Sequence, residues 1–173
     1  MKIENTSRPA AAEFAEYYGP YIDCVPDGNI TQWMLDQINE FSSVLDTISE
    51  DQATVIHDPF TWTIKQVVGH LIDVEKVFGY RGHRFACNDS RPILGMDQNA
   101  FVDNLEYDLP LSDLVIELKC TRRSNALFWK RLPAPAWDRQ GTVDDAIISV
   151  RAIAYVLVGH VSHHLEIIKR RIA

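Results

Sequence analysis

Three histidines carry the clearest chemical signal in the chain. His160 and His164 stand four residues apart in the stretch from Tyr155 to Ile168. On a helix this spacing puts them about 40° apart on one face, one turn above the other. Two imidazoles so placed can reach a single metal ion. At about 100° per residue, Ile153, Val156, Leu157, Ile167 and Ile168 fall within about 80° of His160. The pair therefore occupies an apolar stripe where Leu or Val is expected. Ring nitrogens buried there need partners, or they cost a few kcal/mol. Hydrogen bonds to other core polar groups are one solution, and a metal ion is the other. His163 lies about 60° to the other side of His160, at the edge of the stripe, and is expected beside the site or exposed.

His70 adds weight to the ion. It follows Val67-Val68-Gly69 and precedes Leu71-Ile72-Asp73-Val74-Glu75. The stripe of Val67, Leu71, Val74, Val77 and Phe78 is centred about 70° from it, so His70 faces partly inward. A parallel or an antiparallel pair of helices could bring it opposite His160 and His164. Three neutral imidazoles with a position left for water form the layout of a catalytic zinc-type site. Imidazoles alone do not choose among Zn²⁺, the first expectation, and Ni²⁺, Fe²⁺ or Mn²⁺. His57, before Asp58-Pro59, and His83, about 140° round from His70, fall outside the constellation.

Several neighbours qualify as helpers, each with a plainer reading. Asp73, about 60° from His70, could orient a ligand histidine or be a solvated helix residue. Arg81 falls within about 20° of His70 and Arg84 about 40° to the other side, so both could guide an anionic substrate, or be salt-bridged. Asp97 and Gln98 could line the mouth of a pocket. Trp62 reads first as a hydrophobic anchor of a helix start. Arg122-Arg123 and Lys169-Arg170-Arg171 read as solvated faces or helix-end charges. There is no phosphate-cradling glycine loop and no GxSxG elbow.

Long helices must position these residues. After Pro26-Asp27-Gly28-Asn29, apolar residues from Ile30 to Ile48 recur at threes and fours, predicting a helix to about residue 49 capped by Asp27 or Asn29. A second helix is predicted over about 63–86, capped by Thr61 or Thr63. A long loop follows over 87–110, through Asn88-Asp89-Ser90-Arg91-Pro92, with room for short helical turns. Ser112 is the expected cap of a third helix, to about 132. Thr142-Val143 suggests a short extended piece. The last helix is expected to begin near Asp144-Asp145 or Ser149 and to end in cations that suit its dipole. Residues 1–28, broken by Pro9, Gly19, Pro20 and Pro26, read as irregular. The whole 1–173 reads as one all-α domain, a four-helix bundle.

Composition sets the bounds. The 173 residues are 46% hydrophobic and 24% charged, with 7 Phe, 6 Tyr and 4 Trp, enough apolar area for a core. A formal net charge of −7 argues against nucleic acid as a partner. No run reaches the roughly 18 apolar residues of a membrane span, and the opening MKIENTSRPAAAEF lacks the apolar stretch of a signal peptide. Cys24, Cys87 and Cys120 show no CxxC spacing and read as mostly buried thiols of a reducing cytoplasm.

At these residues the chain resembles the DinB/YfiT-like superfamily of four-helix metalloproteins, from about residue 29 to the C-terminus. The resemblance rests on three pieces. One runs from Phe60 through Trp62, Thr63, His70, Asp73 and Glu75 to Arg81. Another is Leu94-Gly95-Met96-Asp97-Gln98 through Phe101-Val102. The last is Gly159-His160-Val161-Ser162-His163-His164. The resemblance implies an up-up-down-down bundle and a divalent ion on His70, His160 and His164, not His163. It further implies a homodimer and a small-molecule substrate. Members of known activity include thiol S-transferases and an isomerase that use a low-molecular-weight thiol, and others are classed only as metal-dependent hydrolases. Family membership of this kind constrains the site more than the reaction. The rival expectation is a binding or structural protein in which a metal, or the histidine cluster alone, only holds the bundle together.

Overall fold

Each long helix starts where a backbone donor finds a partner. In the computed structural model, which describes residues 7–89 and 91–172, Asn29 accepts from the amides of Thr31 and Gln32 and opens α2, Ile30–Leu45. Ser49, expected within that helix, instead caps the short α3, Glu50–Thr54. Thr63 and Gln66 form a reciprocal capping box at the head of α4, Ile64–Ala86. α6, Leu111–Lys130, departs from expectation. Its first turn follows Pro110, and the Leu111 amide donates to the Glu50 carboxylate at 2.6 Å, so Ser112 is not the cap. α7, Val150–Ile172, is capped by Ser149, whose hydroxyl accepts from the Ala152 amide at 2.9 Å. Asp144-Asp145, the other expected start, is the turn between β1, Gln140–Val143, and β2, Ala146–Ser149. Asp144 takes the left-handed φ of 50° that such a turn demands.

Two apolar clusters stack along the bundle. One holds Ile30, Met34, Phe78, Trp129 and Ile153, and the other Phe41, Leu71, Leu118 and Leu165. α2 and α7 pass from the first cluster to the second, whereas α4 and α6 pass from the second to the first. α2 and α4 each pack on both α6 and α7, so α2 lies diagonal to α4. Round the perimeter, starting from α7, the helices run up, up, down, down. Along the chain the same bundle reads up, down, down, up.

Two parallel helices joined in sequence need a return path the length of the bundle, about 30 Å for a 20-residue helix. Residues 87–110 supply it. They hold α5, Gln98–Asn104, and pair with the hairpin through Ile93, whose amide donates to the Thr142 carbonyl at 2.9 Å. Upstream, α1, Gly19–Asp23, packs on α7. Ser90, and residues 1–6 of the opening stretch read for a leader, lie outside the described residues. No helix among the described residues is long and apolar enough to cross a membrane. The three cysteines are free but exposed, not buried as expected.

Between the clusters lies a polar network that joins all four long helices. Arg122 of α6 is fully buried and pairs with Glu75 of α4, itself 1% exposed, and with Gln37 of α2. It also donates to the Leu157 carbonyl of α7 at 3.2 Å. Gln37 donates onward to the Val158 carbonyl and the Ser162 hydroxyl, and Asn125 to Glu75 at 2.6 Å. Arg122 is thus no solvated residue, as the basic doublet suggests, whereas Arg123 is exposed. A charged pair costs several kcal/mol to desolvate per ion, so it persists only when further hydrogen bonds complete it, as here.

Candidate metal centre

His70 lies almost two turns into α4, with its ring centroid 5.2 Å from that of Trp62. His160 and His164 face it from α7, their centroids 4.5 Å apart and 4.9 and 5.0 Å from that of His70. The Nε2 atoms of His70 and His160 are 3.0 Å apart. Each of the three rings offers one nitrogen, and these nitrogens all lie within 4.8 Å of one another. Ligands of a tetrahedral ion at about 2.1 Å stand roughly 3.4 Å apart, so modest ring adjustments bring the three onto one centre. Among the described residues no fourth His, Cys, Asp or Glu joins them.

Two glycines let other segments close over this centre. A Cβ on Gly69 would sit 1.9 Å from the Tyr107 ring, and one on Gly159 would sit 1.8 Å from the Tyr21 carbonyl oxygen. Each glycine immediately precedes a histidine of the cluster. Tyr21 thereby reaches the His160 ring, centroid to centroid 5.4 Å.

The cluster is short of partners. The Nδ1 atoms of His70 and His164 are buried with no hydrogen-bond partner, a deficit of about 1–3 kcal/mol per atom. Burial holds all three rings neutral. It pushes His70 down to about 4. With added repulsion from His70 and His163 it pushes His164 to about 3, and His160 also lies well below the ordinary range. Neutral imidazoles keep a lone pair for a cation, and a bound ion would take the ring nitrogens that His70 and His160 now turn toward each other. The residues thus fit a borderline divalent ion.

A cavity of about 270 Å³ starts at His70 and His160. It runs along α4 past Val74 and Phe78 to Arg81, under Val143, Asp144 and Ile148 of the hairpin, with Tyr18 and Tyr21 on its N-terminal side. Arg81 and Gln98 line it. Arg84 is held by Asp89 at 2.9 Å and does not line it. Asp97 is spent on the amides of Asn99 and Ala100 at the head of α5. Asp73 accepts from the Tyr107 hydroxyl at 2.9 Å instead of touching a histidine. His163 is exposed and lies beside the cluster, its ring against those of Tyr21 and His164 at 5.4 and 5.1 Å, without being one of the three that converge. His57 bonds the Gln52 carbonyl and His83 stacks on Phe128, both outside the centre. Tyr18, Tyr21 and Asp144 were not singled out in the sequence. Only their fold-level neighbours mark them, since they come from an N-terminal turn and a hairpin more than a hundred residues apart.

Comparison with known proteins agrees with this architecture. A family model described as the DinB superfamily matches residues 35–168. No curated protein matches the chain significantly. Among solved structures, YfiT from Bacillus subtilis, described as a probable metal-dependent hydrolase with an unusual four-helix bundle topology, superposes with a TM-score of 0.74. The match covers 96% of this chain and 93% of YfiT at 18% sequence identity, a likeness of fold.

Proposed function

This chain belongs to the DinB superfamily, and we propose that it is a metal-dependent enzyme of the thiol S-transferase or hydrolase type, with one divalent ion, Zn²⁺ first, on His70, His160 and His164. The observation that carries the reading is the meeting of three neutral imidazoles, two of which, His70 and His160, line a cavity. A structural site closes its coordination with a fourth protein ligand, and a catalytic one keeps a position free. Among the described residues no fourth ligand is present. When bound, such an ion is a Lewis acid that makes a water or a thiol nucleophilic near neutral pH.

The chain's own residues do the rest. Trp62 and Tyr21 pack on the rings of His70 and His160 and restrict their rotation. The walls of Val74, Phe78, Val156 and Ile148 take an apolar body and exclude water from it. The description of YfiT as a probable metal-dependent hydrolase supports the hydrolytic branch. The resemblance to thiol-using relatives supports the transferase branch.

The test uses ion-loaded protein with a panel of activated esters, and with low-molecular-weight thiols paired with electrophiles. Turnover in one branch, lost in His70→Ala, is expected. No turnover in either, with an ion that no added thiol or azide perturbs, would leave the ion a structural cross-link and overturn the proposal.

A further inference from the structure

Arg81 is a buried charge that no carboxylate among the described residues touches. It is 2% exposed and lines the cavity three turns of α4 beyond His70. Arg122, the other fully enclosed guanidinium, is matched by Glu75. Arg81 takes part in none of the ion pairs among the described residues. Its contacts are neutral: the Leu94 carbonyl at 3.3 Å and the Phe78 ring, 4.8 Å below the guanidinium, with Tyr18 lining the same stretch of cavity. Its Nε is buried with no hydrogen-bond partner. Asp144 attracts it from a distance while its Oδ1 accepts from the Gly95 amide at 2.7 Å. A guanidinium presents a planar fork of donors matched to a carboxylate, and desolvation strengthens such a bond.

We propose that Arg81 is the anion-recognition group of this cavity. Its ligand is a small organic monocarboxylate, held by the Arg81 guanidinium beside the Tyr18 hydroxyl, with the other end of the molecule at His70 and His160. At the Arg81 end the charge count selects a single carboxylate, because one guanidinium balances one negative charge and a second would meet Asp144. The apolar walls between the two ends, Val74 and Phe78, call for an aliphatic or aromatic spacer. Eleven helical residues rise about 16 Å, and helical side chains lean toward the N-terminus, so the guanidinium comes about one turn nearer His70. The contact with Phe78 shows that lean. His70 leans the same way, toward Trp62, so the axial gap lies between roughly 11 and 16 Å; the ion–sulfur and guanidinium–carboxylate contacts cover about 6 Å of it, which leaves room for a spacer of about five methylenes. This assignment rests on the metal reading for the far end of the ligand only, and the experiment separates the two.

The probes are 6-mercaptohexanoate, 6-mercaptohexanol and 3-mercaptopropionate on ion-loaded protein, and hexanoate, its phosphonate analogue and hexanol on metal-free protein, all by titration calorimetry. 6-Mercaptohexanoate is expected to bind at least tenfold more tightly than 6-mercaptohexanol, and more tightly than 3-mercaptopropionate, which cannot span both ends. Hexanoate is expected to keep its preference over hexanol without metal, and the phosphonate analogue to bind no better than the carboxylate. Arg81→Gln should erase the carboxylate preference with metal content unchanged, and Tyr18→Phe should reduce it. A carboxylate-to-alcohol ratio near one in the wild-type protein, with or without ion, overturns the role of Arg81 even if the Arg81 variant fails to fold. A preference that survives Arg81→Gln, or a tighter phosphonate, overturns it as well. Equal affinity for thiol and non-thiol probes, with the carboxylate preference intact, would sink the ion as anchor of the ligand's far end, and with it the thiol-transfer branch, and leave Arg81 standing.

Discussion

Replacing Arg122 with alanine should be among the most damaging single changes in the core, and the structure sets its size. Arg122 is fully buried and its partner Glu75 is 1% exposed. Without the guanidinium, Glu75 keeps only the Asn125 amide as a side-chain partner, and the Gln37 carbonyl loses its donor. Breaking a buried pair from one side costs about 3–5 kcal/mol, because the remaining charge is left uncompensated. For a chain of this length each kcal/mol lowers the melting temperature by about 2–4 °C, so a fall of roughly 6–20 °C is expected. The assay is urea and thermal unfolding of metal-free Arg122→Ala, with chelator present so that ion binding adds nothing. The paired change Arg122→Met with Glu75→Leu removes both charges and should cost less than Arg122→Ala alone. A loss under about 1 kcal/mol in the single variant, or a double variant worse than the single, would refute the reasoning.

Other consequences are equally direct. Gly159→Ala drives a Cβ against the Tyr21 carbonyl; it should destabilise the fold by about 1–3 kcal/mol, whereas an unchanged melt would mean that α1 does not hold its place on α7. Metal-free protein should weaken in acid. An unfolded histidine protonates near 6.5, while folded His70 resists until about 4; the stability is present above 6.5 and is lost as pH falls through this window, by up to about 3 kcal/mol for His70. A flat urea midpoint between pH 7 and 4 contradicts that burial. An ion at a hundredfold excess over its dissociation constant adds about 2.7 kcal/mol, so chelation should lower the melting temperature by about 5–11 °C, and scanning calorimetry before and after chelator reads it.

The pattern of imidazoles was legible because helical periodicity is local. His160 and His164 show as polar rings inside an apolar stripe, and His70 as one at a stripe's margin. Asn29 and Thr63 were legible as caps for the same reason, since each acts on amides two or three residues away. Arg122 and Glu75 were not legible. Nothing in a local charge doublet tells that a residue 47 positions away will desolvate with it. Asp144-Asp145 resembles a helix start because acidic residues favour both N-termini and turns, and only the pairing of β1 with β2 decides between them. Ser112 lost the cap to a distant carboxylate, Glu50. The cavity roof assembles from the N-terminal turns, the crossover and the hairpin, so no single window of sequence contains it.

The central claim is most directly tested by elemental analysis of protein purified without an affinity tag or added metal. About one divalent ion per chain is predicted, retained in His163→Ala and largely lost in His164→Ala. Protein free of metal in every preparation, or equal losses in the two variants, would contradict a centre built on residues 70, 160 and 164.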